Sequence, residues 1–316
     1  MNSYTKAWSI EIFNTLYLNK MIMSAHQLEF VAVGPFKTGT SWIHNYLADY
    51  QQVALPTKVK ETFFFDRKFN KGEDWYYSHF TEVQQHQKLG EIAPSYFSSP
   101  EACARIHQLY PNCKIIVTFR EPVARLLSFY QHMKQRGEIE PQRTFIEAIE
   151  QVETLPYTGK YYSHLSRWID TFGADNVKVI FFEELARSPA NFSHILCHEL
   201  GLEVEDTAKD LNKKVNSSQA PINHNLAKIT YQGVNLLHNL GLHKLVDIGK
   251  NLGIQELLRS KKAKKFQLSQ EEFAAALNVV KDDVLMLETN LDLDISDWKK
   301  TWQEQGVEVS SLSSGK

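Results

Sequence analysis

Short apolar runs alternate with amphipathic stretches along the first two thirds of the chain. The run LEFVAVG at 28–34 is closed by Gly34-Pro35, and residues 40–50 then carry Trp42, Tyr46 and Leu47 at helical spacing. This predicts a strand, a loop and a helix. A second unit begins at Cys113, where KIIVTF predicts a buried strand and Glu121-Pro122 opens a helix running through Leu126, Leu127 and Tyr130 to Gly137. A third run, 177–182, precedes Ser188-Pro189, an N-cap and first-turn proline for a helix that stops at Gly201. Between the first two strands, Ser99-Pro100 starts a helix that Pro111 ends. Parallel strands need crossover connections that bury both faces of their sheet, so this alternation predicts an α/β fold. Ligands of such sheets bind at the carboxyl ends of the strands.

Beyond Pro221 the pattern carries no clear strand and reads as helical to about residue 297. Ser269 with Glu272 forms a capping box, and Phe273, Leu277, Val280, Val284 and Leu287 follow at helical spacing, predicting one helix. Residues 1–25 read as an amphipathic lead-in helix and the Ser-rich end, 310–316, as a frayed tail. The expected architecture is a P-loop-like parallel sheet flanked by helices with a helical C-terminal extension. It forms a single domain over 1–316, with a nucleotide-binding core at 26–220 and a helical part at 221–300.

Composition narrows the chemistry. Thirty-five basic against 37 acidic residues leave a net charge of −2, so no global field draws the chain to nucleic acid, and any anion site is local. Three cysteines without C-x-x-C spacing suit neither a disulfide framework nor a zinc site, and the 12 histidines show no metal-site spacing. No stretch of 18 apolar residues predicts a transmembrane segment, and no apolar leader is visible, so a cytoplasmic location is expected.

The loop 34–41 reads GPFKTGTS at a strand-to-helix junction. Backbone N–H groups at a helix start lack intrahelical partners and the dipole puts positive charge there, so an anionic phosphate is stabilised. Lys37 adds a full charge; Thr38, Thr40 and Ser41 add hydroxyl donors; Gly39 allows close approach. A capped helix with a solvated lysine would read the same way. The order also departs from the nucleotide P-loop, because the lysine precedes the second glycine. In the second unit, Arg120 stands at the end of its strand and Ser128 eight residues on, about two helical turns away. Arginine grips phosphate bidentately and the serine adds a donor; a surface arginine paired with Glu121 is the plain alternative.

Together these elements resemble the sulfotransferase family, enzymes that use 3′-phosphoadenosine 5′-phosphosulfate (PAPS). GPFKTGTSW at 34–42 is similar to the family's 5′-phosphosulfate loop, and IIVTFREPVARLLSFY at 115–130 to its 3′-phosphate motif. Further similarity covers KETFFFD at 60–66, GEIAPSYF at 90–97, GKYYSHLSRWIDTFG at 159–173 and NLDLDISDW at 290–298, closest to heparan sulfate sulfotransferases and bacterial relatives. The resemblance implies contacts to PAPS, and to its product adenosine 3′,5′-bisphosphate (PAP), from Lys37, Thr38, Gly39, Thr40, Ser41, Arg120 and Ser128. Lys213, Lys214 and Ser217 are similar to a late segment closing over the nucleotide. The implied reaction moves a sulfuryl group to a hydroxyl or amine of a saccharide or small-molecule acceptor, with Lys37 stabilising the leaving oxygen and no metal required.

The acceptor must lose a proton. Glu61 matches the family's glutamate base, with Phe63, Phe64 and Phe65 beside it; a solvated glutamate paired with Lys58 or Lys60 is the alternative. His164, in the segment where heparan-type members carry a histidine, is the second candidate. One departure stands out: where many relatives read Glu-Lys-Thr-Pro, this chain reads Glu91-Ile92-Ala93-Pro94, so either Lys37 suffices or another cation substitutes. Trp75, Tyr76 and Tyr77 are candidates for an acceptor pocket or for core. The basic run Arg259, Lys261, Lys262, Lys264 and Lys265 steers an acidic ligand or forms a solvated face. Two other functions compete: an ATP-dependent P-loop kinase, with VIFFEE at 179–184 as its magnesium strand, and a nucleotide-binding protein lacking transfer.

Overall fold

The computed structural model describes residues 27–204, 224–239, 245 and 266–308. The expectations for 1–25, Lys213, Lys214, Ser217, the basic run at 259–265 and the tail lie outside the described residues. Along the chain, the strands and principal helices begin with β1 (Leu28–Gly34), α1 (Thr40–Leu47), β2 (Val53–Ala54), β3 (Lys88–Ile92), α2 (Pro100–Leu109), β4 (Lys114–Phe119) and α3 (Pro122–Gln135). They continue with α4 (Tyr161–Phe172), β5 (Val177–Phe181), α5 (Pro189–Leu200), α6 (His224–Asn239), α7 (Gln270–Asn278), α8 (Lys281–Leu291) and α9 (Ser296–Glu304).

Contacts group the described residues into two compact units. The first holds residues 27–35, Gly39–Phe119 and 167–204, and contains the whole sheet. All strand pairs are parallel, in the order β2-β3-β1-β4-β5. Strands β1 and β4 bury almost every residue, which is why they stand out in the sequence as continuous apolar runs. Strand β3 is hidden from the same criterion by Gly90 and Glu91. A Cβ on Gly90 would lie 2.0 Å from the Phe30 ring, so only glycine fits beside that ring on the neighbouring strand. Helix α1 buries Trp42, Tyr46 and Leu47, the face its periodicity marks. Ser99 and Ser188 cap α2 and α5 through Ala102 N–H and Asn191 N–H, and Gly201 ends α5 in the left-handed region at φ 60°. A short helix, Phe182–Arg187, follows β5 directly where the sequence showed only a connection.

The second unit holds Phe36–Thr38, Arg120–Ser166 and the described residues from 224 onward. Residues 120–166 thus fall in the same compact unit as the C-terminal helices. The polar ties show why. Glu121 caps α3 by accepting from Val123 N–H at 3.1 Å and Ala124 N–H at 2.6 Å, and it also accepts from the indole N–H of the buried Trp302 on α9 at 2.9 Å. Asp283 on α8 accepts from the backbone N–H groups of Tyr162 at 2.8 Å and Ser163 at 3.1 Å and from the Ser163 hydroxyl, capping the start of α4. The capping box of Ser269 and Glu272 is present. The single helix expected after it is two helices, α7 and α8, because the chain turns at Val280, φ −129°. That turn keeps Val280 buried, packed near Gly159, and aims the acidic first turn of α8 at α4.

Candidate functional site

The loop after β1 turns through three positive-φ residues: Gly34 at 87°, Lys37 at 75° and Gly39 at 94°. The left-handed region costs a side-chain-bearing residue about 1–2 kcal/mol, so Lys37 is held there by its surroundings, a condition that recurs at functional sites. Gly39 is the N-cap of α1 and no side chain caps that end, leaving the helix start to its own N–H groups. A Cβ on Gly39 would meet Leu185 Cδ2 and Phe182 Cδ2 at 3.1 Å each, so the helix that follows β5 is the wall against which the loop rests. Thr38 and Thr40 are buried; Lys37 and Ser41 are half-buried.

The two motifs separated in sequence meet in the structure. Arg120, at the carboxyl end of β4, donates from Nη1 to the Lys37 carbonyl at 3.4 Å, and Phe36 stacks on Phe129 of α3, ring centroids 5.3 Å apart and nearly parallel. The Arg120 carbonyl accepts from the Tyr161 hydroxyl at 2.9 Å, which fixes the arginine's backbone to the start of α4. Ser128 is half-buried two turns into α3. Arg125, fully buried on the same helix, donates to Thr158 Oγ1 at 2.9 Å and lies over the Phe129 ring. Its burial disfavours the charge and lowers its pKa.

In the first unit, Glu61 and Lys60 lie beside the loop. Lys60 Nζ donates to Ser41 Oγ at 3.0 Å and pairs with Glu61 Oε1 at 3.7 Å. The pairing offered as the plain alternative for Glu61 therefore exists, but the same lysine also reaches the loop. Behind Glu61 stands a polar network inside the core. Glu91, fully buried at the end of β3, accepts from Thr62 N–H at 2.8 Å, the Thr62 hydroxyl at 2.7 Å and the Tyr76 hydroxyl at 3.1 Å, and the Tyr96 hydroxyl lies 3.3 Å from both of its oxygens. Burial nevertheless outweighs these donors and pushes the Glu91 carboxyl up to about 7. The network pins Thr62, the residue after Glu61. Tyr76 is thereby core; Trp75 and Tyr77 are half-buried, Tyr77 tied to Tyr110 by a 2.8 Å hydroxyl contact and Trp75 with Lys68 over its ring at 5.4 Å.

His164 is buried on α4, with Nε2 2.8 Å from the Tyr157 carbonyl. At the strand expected of a kinase, Glu184 is engaged by Arg187 and by Asn191 Nδ2 at 3.1 Å. Among the described residues, no three His, Cys, Asp or Glu side chains converge as a metal site would require, and no helix is long and apolar enough to cross a membrane. The three cysteines are buried and unpaired.

A family model described as a sulfotransferase domain matches residues 29–235, about two thirds of the chain. The chain belongs to the sulfotransferase family. Its fold agrees with the crystal structure of a sulfotransferase from Alicyclobacillus acidocaldarius, with 25% identity and a TM-score of 0.58, covering 86% of this chain and 99% of that one. Among curated sulfotransferases, the human bifunctional heparan sulfate N-deacetylase/N-sulfotransferase 2 is 30% identical over 181 residues, 51% of this chain and 20% of that protein. The membrane-associated sulfotransferase kil1 of Dictyostelium discoideum is 34% identical over 104 residues, 32% of this chain and 22% of that protein. The chain thus spans about a fifth of the length of these curated relatives. Lys60 and Glu91 are the residues that sequence reasoning passed over. Lys60 stood there only as a partner for Glu61. Glu91 was read as part of a motif, and nothing in a one-dimensional pattern signals a carboxylate turned into the core.

Proposed function

We propose that this sulfotransferase moves a sulfuryl group from PAPS to a hydroxyl or amine of a saccharide or small-molecule acceptor. The observation that carries the reading is the contact between Arg120 and the Lys37 carbonyl, which puts a guanidinium fit for a phosphate beside the lysine of an anion-binding loop. Within one compact unit, Lys37, Thr38, Arg120 and Ser128 offer an ammonium, a hydroxyl, a guanidinium and a second hydroxyl, a donor set that suits an anionic nucleotide, and Gly39, Thr40 and Ser41 continue the same loop in sequence. Bound PAPS would supply an activated sulfur whose leaving group is the phosphate of PAP. Thr38, Gly39, Thr40 and Ser41 would bind its 5′ end and Arg120 and Ser128 its 3′ phosphate.

Lys37 would supply positive charge to stabilise the negative charge that the leaving phosphate gains, the usual source of catalysis in group transfers of this kind. Glu61 takes the proton from the acceptor oxygen or nitrogen as that atom bonds to sulfur. Glu61 is favoured over His164 because the imidazole is buried and held at the Tyr157 carbonyl, whereas Glu61 lies at the loop through Lys60 and Ser41. The kinase reading loses support with Glu184 occupied by Arg187 and Asn191. The proposal keeps PAPS as donor, no metal requirement, no nucleic-acid partner and a cytoplasmic location, the last resting on composition and unpaired cysteines. The test is incubation of the protein with sulfur-labelled PAPS and a panel of amino sugars, oligosaccharides and phenols without divalent metal. A product heavier by one sulfuryl group, absent with Lys37→Ala, supports it. Transfer from labelled ATP instead would refute it.

A further inference from the structure

Lys60 has no role in the mechanism above, and its surroundings suggest one. Its ammonium touches two groups of different function: the hydroxyl of Ser41 in the donor loop at 3.0 Å and the carboxylate of Glu61 at 3.7 Å. The neighbouring charges are engaged elsewhere. Lys58 donates to the Ser78 carbonyl at 2.6 Å, Asp66 pairs with Arg67 at 3.3 Å, and Glu91 on β3 takes the donors of Thr62, Tyr76 and Tyr96. Residue 92, at the end of β3, is a buried isoleucine, so that strand end contributes no cation.

We propose that Lys60 is a positioning residue that ties the donor loop at Ser41 to the carboxylate of Glu61, so that donor and proton acceptor are held in register. The inference rests on the sulfotransferase mechanism proposed above and assigns a residue that mechanism does not use. Before reaction the ammonium keeps Glu61 ionised, ready to accept a proton. Once the acceptor's proton has moved to Glu61, the carboxyl is neutral and the Lys60 charge is compensated less on that side. Its hydrogen bond to Ser41 remains, at the end of the loop where the leaving phosphate gathers charge. Burial, the main influence on Lys60, lowers its pKa, and the Glu61 carboxylate opposes that loss. The pair therefore supports the charged form of both partners.

The test uses the full chain and needs no acceptor. Calorimetric titration with PAP compares wild type, Ser41→Ala, Lys60→Met and the double variant. We expect Lys60→Met to weaken binding about tenfold, a size ordinary for a hydrogen bond involving a charged group, and the double variant to lose clearly less than the product of the two single losses, because Ser41 keeps its own contact to the 5′ end when Lys60 is removed. In parallel, the carbon-13 carboxyl resonance of Glu61, assigned by its loss in Glu61→Gln, is titrated. Its midpoint should rise by about one pH unit in Lys60→Met and stay in place in Lys60→Arg. Lys60→Gln, which keeps a donor for Ser41 without the charge, should raise the midpoint while keeping the Ser41 coupling. Additive losses in the binding cycle, or a Glu61 midpoint that ignores Lys60, would overturn the proposal. Failure of wild type to bind PAP would instead remove the donor reading, leaving the carboxyl titration to decide the Lys60–Glu61 pairing by itself.

Discussion

Replacing Glu91 with glutamine should change how stability responds to pH more than it changes stability at any one pH. The carboxyl is wholly buried and, despite its hydrogen-bond donors, is pushed up to about 7 from an ordinary value of 4.5. Between those two values the folded protein holds a proton that the unfolded chain has released, so folding stability falls as pH rises through that window. Two and a half pH units at about 1.4 kcal/mol each make the fall about 3.5 kcal/mol, complete just above pH 7. Below pH 4.5 the carboxyl is protonated in both states and contributes no slope. Tyr76 and Tyr96 do not blur the window, because burial drives their hydroxyl pKa values well above 10. Glutamine has no proton to exchange, so that slope disappears. Its amide NH2 would face the donors that now point at the carboxylate, a fixed cost of about 1–3 kcal/mol at every pH. Urea unfolding of both proteins at pH 5, 6, 7 and 8 separates the two effects, since all other titrating groups cancel in the difference. Wild type should lose about 2.5 kcal/mol relative to Glu91→Gln from pH 5 to pH 8, the part of the window that the series covers. Two curves that run parallel would show that Glu91 is ionised in the folded protein throughout and that its donors, not burial, set its state.

The remaining expectations concern the loop and the cap. Gly39→Ala places a side chain at φ 94° and a methyl 3.1 Å from both Leu185 Cδ2 and Phe182 Cδ2; it should cost about 1–2 kcal/mol by urea unfolding and weaken PAP binding in calorimetry as the loop shifts. An alanine variant with unchanged stability and affinity would mean that the loop has no need of its left-handed turn. Asp283→Ala removes the acceptor for Tyr162 N–H, Ser163 N–H and the Ser163 hydroxyl, and should lower stability by about 1–3 kcal/mol while leaving PAP affinity within twofold. A loss below 0.5 kcal/mol would show that water replaces the cap at no cost.

The elements that sequence makes legible are those whose burial is complete and apolar. Strand β1 begins and ends where its apolar run does, β4 begins within one residue of the expected start, and the caps at Ser99, Glu121, Ser188 and Ser269 open helices because each side chain has a free N–H to accept from. Strand β3 escapes because Gly90 and Glu91 look like loop residues, although one is shaped by the Phe30 ring and the other is buried among hydrogen-bond donors with its carboxyl pKa raised. Strand β2, two residues long, exists through its pairing with β3 and has no pattern of its own. The break between α7 and α8 is equally silent: the apolar spacing continues through Val280 while the backbone turns there, and the turn is accompanied by the Asp283 contacts to α4. At the candidate site, Lys37 and Arg120 were legible from spacing and resemblance. Lys60 was not, since its meaning depends on Ser41, 19 residues away and brought near only by the fold.

The central claim is that the lysine of the β1 loop and the arginine at the end of β4 serve one nucleotide. Calorimetric titration of the full chain with PAP, without divalent metal, tests it most directly in wild type, Lys37→Ala and Arg120→Ala. The account predicts saturable one-to-one binding by wild type and a loss of about tenfold or more in each variant, the scale of a charge-assisted hydrogen bond to phosphate. Wild type that does not bind, or binding that both variants retain at full strength, would contradict it.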